Sequence, residues 1–284
     1  MKSTRSLFVN PHASSSLSPL SLAKTICFNR QLIIQMVRRD VLGRYRGSML
    51  GILWSFFSPI LMLVIYTFVF AVVFKARWGG STSDSKAEFA LILFAGMNVF
   101  AIFADSINQA PSLIINNSNY VKKVVFPLEL LPIINIGTSL FHVFIGFMVL
   151  IFGLIIINGY INWTIIYLPL ILLPLIILTI GLSWFLASFG VFLPDIRQAI
   201  GIFTTVLMFL SPVFYPVSAL PVRFQNMVFL NPLTFIIEQT RGVVIFGAPP
   251  DWRGLLIYGR IATAIAWLGF AWFQKTRKGF ADVL

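Results

Sequence analysis

Residues 130–194 form a stretch of 65 residues without a single Asp, Glu, Lys or Arg. A helix needs about 20 apolar residues to cross a bilayer, so this stretch is long enough for two crossings. Residues 49–74 and 198–222 are further charge-free stretches of 26 and 25 residues. The mean hydropathy is +0.90, and 58% of the residues are hydrophobic. Because a soluble chain of this length needs far more polar surface, the sequence predicts a polytopic membrane protein.

The apolar runs predict an all-α fold with six transmembrane helices. The predicted spans are residues 49–74, 88–108, 128–157, 164–192, 199–215 and 254–274. Six spans place both termini on one side, and a cytoplasmic assignment leaves 14 of the 21 Lys and Arg on that side. The formal charge of +12 therefore indicates membrane topology and not nucleic-acid binding. Arg260 lies within the last predicted span, which either begins late or keeps this charge against protein or water.

The whole chain is predicted to divide into a short tail and one membrane domain. Residues 1–27 begin with a serine-rich segment and are predicted to be a disordered cytoplasmic tail. Residues 28–284 are predicted to form one transmembrane domain. Within it, residues 29–46 place Ile33, Ile34 and Val37 at helical spacing, which predicts an amphipathic interfacial helix.

Residues 216–252 are too broken by proline to cross a membrane. Six prolines divide residues 211–252 into apolar pieces of about 10 to 15 residues. One interpretation is an extracellular loop folded over the helix ends. The other is a pair of re-entrant half-helices, near 222–230 and 233–246, in the outer leaflet. Irregular backbone is tolerated at that depth only beside protein or a water-filled cavity, so the second interpretation predicts a pore mouth.

The sequence contains no recognisable catalytic or metal site. There is no G-x-x-x-x-G-K-[ST] phosphate-binding loop, and the nine acidic residues are scattered along the chain. One cysteine and two histidines are too few for the usual four-ligand zinc cluster of Cys and His. We therefore expect no catalytic residue, no metal and no cofactor in this chain.

Several ionisable residues near the predicted spans have two interpretations. Asp105 and Glu129 could be proton-relay groups or solvated helix ends. His142 could be a proton shuttle or a neutral side chain that is hydrogen bonded to a neighbouring helix. Glu238 and Arg241 lie three residues apart, so a helix places them on one face. They form either a structural ion pair or a latch at the exit.

Aromatic residues are concentrated in the first and fifth predicted spans. The candidate channel aromatics are Trp54, Phe57, Tyr66, Phe203 and Phe209. Aromatic rings present flat apolar faces to sugar C–H groups, so these side chains could line a path for a polysaccharide. They could equally face lipid or neighbouring helices, and periodicity does not distinguish the two.

Three segments together resemble a known family. The first is the segment Arg-Arg-Asp-Val-Leu-Gly-Arg-Tyr-Arg-Gly-Ser (38–48) with Leu-Gly-Ile-Leu-Trp (50–54) and Ser-Pro (58–59). The second is Asn-Ser-Asn-Tyr-Val-Lys-Lys-Val-Val-Phe-Pro-Leu-Glu (117–129), and the third is Ser-Pro-Val-Phe-Tyr-Pro (211–216), followed by Asn-Pro-Leu (231–233), Glu238, Arg241, Gly242 and Gly247. In this order they are similar to the membrane subunits of type-2 ABC exporters for polysaccharides and polyol phosphates.

The resemblance covers approximately residues 28–284 and implies both partners and a substrate. It implies a homodimeric permease in the bacterial inner membrane, paired with two copies of a separate ABC ATPase that binds ATP and Mg²⁺. The implied cargo is an undecaprenyl-diphosphate-linked O-antigen, with capsule or teichoic acid as alternatives. Two rival functions remain: an ion-coupled secondary transporter, and an integral membrane enzyme acting on polyprenyl lipids.

The resemblance also implies roles for particular residues. The implied ATPase-coupling residues are Arg38, Arg39, Tyr120, Val121, Lys122, Lys123 and Val124. The implied outer-gate residues are Pro212, Phe214, Tyr215, Pro216, Asn231, Pro232, Glu238 and Arg241. For residues 116–127 the alternative is a plain connecting turn, with two lysines that set the topology.

Overall fold

The computed structural model describes residues 18–73, 86–122 and 126–284, and every regular element in these ranges is helical. The α-helices are α1 (Pro19–Phe28), α2 (Arg30–Arg44), α3 (Trp54–Tyr66), α4 (Lys86–Gln109), α5 (Leu113–Asn116), α6 (Ser118–Lys122), α7 (Leu130–Asn158), α8 (Leu168–Phe192), α9 (Ile196–Leu210), α10 (Val222–Val228), α11 (Pro232–Val244), α12 (Trp252–Thr276) and α13 (Phe280–Val283). A π-helical segment, Thr67–Val73, continues α3, and short 3₁₀ turns extend or join several other helices. The all-α prediction is confirmed.

Five helical stretches in the described residues are long and apolar enough to cross a membrane. They are Gly51–Phe70, Ala87–Asn116, Leu130–Asn158, Trp163–Phe192 and Trp252–Val283. They correspond to five of the six predicted spans. The remaining predicted span, 199–215, corresponds to α9, whose 15 residues give about 22 Å of helix. Since a bilayer core is about 30 Å thick, the six-span topology stays a prediction.

The disordered-tail prediction is wrong for its last residues. Pro19–Phe28 forms helix α1. Pro19 is the first residue of this helix, a position whose backbone N–H would have no partner within the helix, so proline is tolerated there. Leu22 and Ile26 pack against a buried apolar cluster that includes Met36 of α2. This tertiary packing stabilises a helix that local composition did not predict. Residues 1–17 lie outside the described part of the chain.

Helix α4 is the central element of the bundle. In the most apolar part of the Ala87–Asn116 stretch, 78% of the residues are buried inside the bundle, whereas the corresponding share in Gly51–Phe70 is 6%. The first span is therefore peripheral. Two buried clusters lie toward opposite ends of the α4–α5 stretch. The first includes Ile92, and the second includes Ile114. The bundle therefore has two separately packed ends.

Helix α2 packs against α7, although its apolar face differs from the predicted one. Met36 and Val41 are buried, and a Cβ added to Gly137 of α7 would overlap the Val37 side chain. Ile34, which was assigned to the apolar face, is 66% exposed. The face that contacts protein is thus rotated away from Ile34.

Candidate functional site

Arg39 and Tyr120, two of the predicted coupling residues, are in direct contact. The guanidinium of Arg39 donates to the Tyr120 hydroxyl at 2.8 Å and forms an ion pair with Asp40 at 2.9 Å. The hydrogen bond to Tyr120, followed by that to Asp40, raises the pKa of Arg39 above its usual value. The short helix α6 is therefore joined to α2, across 81 residues of sequence.

Helix α6 also packs against the second buried cluster. The Tyr120 ring stacks on Phe126 with ring centroids 4.6 Å apart, and Val121 lies beside the cluster that contains Phe280. Just before this helix, the Asn117 side-chain amide donates to the carbonyl of Leu113, the first residue of α5.

The other predicted coupling residues are not part of this contact. Arg38 is exposed to solvent. The Lys122 side chain, Lys123 and Val124 lie outside the described residues.

Glu129 is neither a solvated helix end nor an isolated acid. Its carboxylate accepts from Arg277 at 2.9 Å, and its backbone carbonyl accepts from the Trp184 indole N–H at 2.9 Å. Sequence reasoning missed Arg277, since 148 residues separate it from Glu129 and no local pattern connects them. This ion pair joins the C-terminal end of α12 to the start of α7.

Arg241 is completely buried and contacts three different segments. It donates to the carbonyl oxygens of Pro212 at 2.6 Å, Val213 at 2.7 Å and Ile92 at 3.0 Å. It also forms the predicted ion pair with Glu238 at 3.0 Å, whose side chain is 35% exposed. Burial lowers the pKa of Arg241 to about 10, with Glu238 opposing the shift, so the group is cationic at neutral pH.

The remaining outer-gate residues lie around the same segment. Asn231 caps α11 by accepting from the Leu233 N–H at 3.0 Å, and its amide donates to the Ser211 hydroxyl at 2.8 Å. Phe214 stacks on Phe70 with centroids 5.2 Å apart. The predicted half-helices are present as α10 and α11. Their depth in a membrane stays a prediction.

The structure places three remaining outer-gate residues at element boundaries. The Tyr215 hydroxyl donates to the carbonyls of Phe209 and Leu210, both at 3.3 Å. Pro216 precedes the 3₁₀ turn Val217–Ala219, and Pro232 is the first residue of α11.

Four of the five candidate channel aromatics occupy exposed faces of α3 and α9. Phe57 is 57% exposed, Phe203 52% and Phe209 62%. Trp54 is 38% exposed and contacts the Phe57 ring edge to face, with centroids 6.1 Å apart. Tyr66 is half-buried against Phe214. These faces are available to lipid, to a second copy of the chain or to a lumen.

Two cavities whose linings include polar side chains lie toward the end of the bundle that carries α6. The first, of about 500 Å³, opens between α2, the end of α4 and the start of α7; its lining includes Arg39, Asp40, Arg44, Arg197 and several amides and hydroxyls. The second, of about 360 Å³, lies between α3, α4 and α7; its lining includes Arg44, Tyr45, Ser55, Ser58, Asn98, Asp105 and His142. Sequence reasoning did not identify Arg44 or Arg197, because the cavities are formed by residues from distant helices.

His142 is bonded to a neighbouring helix, as one of its two interpretations predicted. The Tyr45 hydroxyl at the end of α2 lies 3.3 Å from its Nδ1. Asp105 borders the second cavity together with Arg44. Among the described residues, no three His, Cys, Asp or Glu side chains are grouped as a metal site would require.

Residues 31–245 match the ABC-2 type transporter family, which is about three quarters of the chain. The chain belongs to the ABC-2 type transporter family. This match confirms the resemblance to permease subunits of type-2 ABC exporters. On this basis the chain is the permease subunit of a type-2 ABC exporter.

Three relatives cover most of the permease. The O-antigen export system permease protein RfbA of Myxococcus xanthus is 25% identical over 266 residues, which are 93% of this chain and 99% of the relative. The protein of the same name from Klebsiella pneumoniae is 25% identical over 256 residues, 89% of this chain and 95% of the relative. The polysialic acid transport protein KpsM of Escherichia coli is 23% identical over 242 residues, 83% and 90% of the two chains.

Proposed function

We propose that this permease moves an undecaprenyl-diphosphate-linked polysaccharide outward across the bacterial inner membrane, with an O-antigen as the first candidate. It acts as a homodimer with two copies of a separate ABC ATPase, and both termini are cytoplasmic. The names of its relatives, which export O-antigen or transport polysialic acid, support the polysaccharide cargo.

The observation that carries this proposal is the placement of two contact regions at opposite ends of the α4–α5 stretch. Arg241 binds the Ile92 carbonyl near the start of α4, whereas the Arg39–Tyr120 contact follows the end of α5 at Asn116. Ile92 and Asn116 are 24 residues apart, which is about 36 Å of helix and close to the thickness of a bilayer. A movement imposed on α6 can therefore reach the segment around Pro212 along the helical stretch Ala87–Asn116, which is continuous through a 3₁₀ turn at Ala110–Ser112.

The segment around α6 is the proposed contact with the ATPase. Tyr120 and Val121 lie on a five-residue helix that α2 and the second buried cluster hold in place, and both side chains stay partly exposed. A hydrophobic and aromatic turn of this kind fits a cleft in a second protein. The chain has no phosphate-binding loop of its own, so ATP hydrolysis belongs to that partner.

The function is tested by deleting the gene in its native host and measuring polysaccharide on both sides of the inner membrane. We expect surface polysaccharide to disappear and lipid-linked polymer to accumulate inside, with both effects reversed by the wild-type gene. Purified permease is expected to hydrolyse no ATP unless its partner is added. Robust polymer flux by the lone permease in liposomes under an ion gradient would falsify the exporter in favour of secondary transport.

A further inference from the structure

The first cavity has the composition of an anion-binding site. Three arginines line it, and its single acid, Asp40, is already paired with Arg39. Arg44 and Arg197 are exposed and have no ion pair within the part of the chain that the structure describes. The other polar residues of the lining are Asn108, Gln109, Ser112, Asn116, Asn117, Asn135 and Thr138. Asn117, Asn135 and Thr138 already donate to backbone carbonyls within the bundle. The hydroxyl of Ser112 and the amides of Asn108, Gln109 and Asn116 are the donors beside the guanidinium groups, and such donors suit phosphate oxygens.

The second cavity has a different chemistry and shares Arg44 with the first. Asp105 and Asn98 lie on α4 and Ser58 on α3, all within stretches that are apolar enough to cross a membrane. Ionisable and amide groups at such positions are costly and usually functional. A carboxylate, an amide and a hydroxyl beside the apolar surface of Pro59 and Ala101 complement a sugar ring, which has hydroxyls at its edge and C–H groups on its faces.

The position of Arg44 links the two chemistries. It is the last residue of α2 and precedes in sequence the membrane-crossing Gly51–Phe70 stretch. Because Arg44 lines both cavities, they adjoin, and a group attached to a diphosphate in the first cavity has access to the second. The volume of the second cavity, about 360 Å³, has room for at least one sugar ring.

We propose that the two cavities form one bipartite site, in which Arg44 and Arg197 bind a diphosphate while Asp105, Asn98 and Ser58 bind the sugar attached to it. This inference rests on the proposed function and deepens it. The permease recognises the junction between lipid carrier and polymer, and not the repeating unit of the polymer. One permease of this kind therefore accepts different polymers that share the same first sugar.

The experiment measures binding of three probes to the full-length permease in lipid nanodiscs. The probes are inorganic pyrophosphate, undecaprenyl diphosphate, and undecaprenyl diphosphate carrying a single sugar. We expect wild-type affinity to increase in that order. Arg44→Gln and Arg197→Gln should raise the Kd of both lipids about tenfold to hundredfold, because each removes a charge-assisted contact. Asp105→Asn should raise only the Kd of the sugar-bearing lipid.

Matched variants separate local effects from misfolding. Arg223→Gln removes an exposed arginine outside both cavities and should leave every Kd unchanged. If the Asp105→Asn permease fails to insert into the membrane, Ser58→Ala tests the sugar contact from α3 instead. Arg44→Lys keeps the charge but loses the planar fork, so it should recover only part of the lipid affinity.

Each outcome supports or overturns a defined part of the inference. Pyrophosphate binding as tight as lipid binding would indicate a site for free anions and overturn the lipid assignment. Equal effects of Asp105→Asn and Ser58→Ala on both lipids, or no effect, would overturn the sugar contact. If the Arg44 and Arg197 variants bind both lipids with wild-type affinity, the proposed diphosphate site is wrong. The proposed export function is unaffected by that result. Only a wild-type permease that exports nothing with its ATPase contradicts the proposed function itself.

Discussion

A single buried arginine satisfies backbone groups that a proline-broken helix leaves without partners. Helix α9 ends at Leu210, and in the turn that follows, the carbonyls of Pro212 and Val213 accept from Arg241. Buried carbonyls need a donor, because leaving them unpaired costs about 1–3 kcal/mol each. Arg241 has five N–H groups in a rigid fork, which allows it to reach both carbonyls, Ile92 and Glu238 together.

We therefore expect substitution of Arg241 to lower the stability of the permease far more than substitution of its ion-pair partner, Glu238. Arg241→Gln should destabilise the permease by about 3 kcal/mol or more, because it leaves several buried carbonyl oxygens unsatisfied and each costs about 1–3 kcal/mol. Glu238→Gln should cost much less, since Glu238 is partly exposed. Thermal unfolding in detergent compares the two variants. The exchange Glu238→Arg with Arg241→Glu should not restore stability, and full recovery in that double variant would show that only the charge pair matters.

Helix α6 illustrates how a very short element is stabilised by its neighbours. Five residues cannot form a stable isolated helix. The contacts to Arg39 of α2 and to Phe126, together with the adjacent C-terminal helix α13, supply what local propensity lacks. Because Arg39 also lines the first cavity, a displacement of α6 is transmitted to that cavity.

Changing Tyr120 should separate ATP hydrolysis from export. Tyr120→Asp removes the stacked ring and introduces a charge, so we expect export per ATP hydrolysed to fall at least tenfold. Tyr120→Phe is the matched control, because it keeps the ring and loses only the hydrogen bond to Arg39. The assay is polymer export and phosphate release by permease and ATPase reconstituted together. Wild-type export by Tyr120→Asp, with the ATPase bound at wild-type affinity, would exclude this helix as the transmission site.

Helices α8 and α12 cross at a contact that only small residues permit. A Cβ on Gly269 of α12 would overlap the Gly181 carbonyl of α8, and one on Gly181 would overlap the backbone of Ala266. Close approach of this kind is typical of helix pairs in membranes.

Adding one methyl group at this crossing should therefore be costly. Gly269→Ala should destabilise the permease by about 1–3 kcal/mol through overpacking. Gly259→Ala in the same helix meets nothing within 4 Å and is the control, expected to be neutral or slightly stabilising. The midpoint of thermal unfolding of the two variants provides the comparison. Equal unfolding midpoints for the two variants would mean that α8 and α12 separate to accommodate the added methyl group without losing stability.

The permease as a whole has a filled centre and exposed flanking helices. Helix α4 occupies the middle of the bundle, while α3 and α9 expose large aromatic faces. A passage wide enough for a polymer is therefore expected between two copies of the chain and not through one. Closed two-fold symmetry is also the commonest arrangement of homo-oligomers.

Cross-linking in native membranes tests this arrangement. In a Cys27→Ser background, which removes the single native cysteine, Phe57→Cys and Phe203→Cys should each give a disulfide-linked dimer on mild oxidation. Phe152 of α7 is 64% exposed, comparable to both, so Phe152→Cys controls for random collision. A dimer from Phe152→Cys alone would place the interface on α7 instead.

The features predictable from sequence are those that depend on neighbouring residues. Charge-free runs identify membrane helices because hydrocarbon excludes charge along every such segment, and spacing of three residues brings Glu238 and Arg241 together on any helix. Helix α1, the Arg277–Glu129 pair and the cavity between Arg44 and Arg197 have no such local signal. They exist because distant helices pack in one particular arrangement, and side-chain contacts between segments follow from that packing and not from periodicity along the chain.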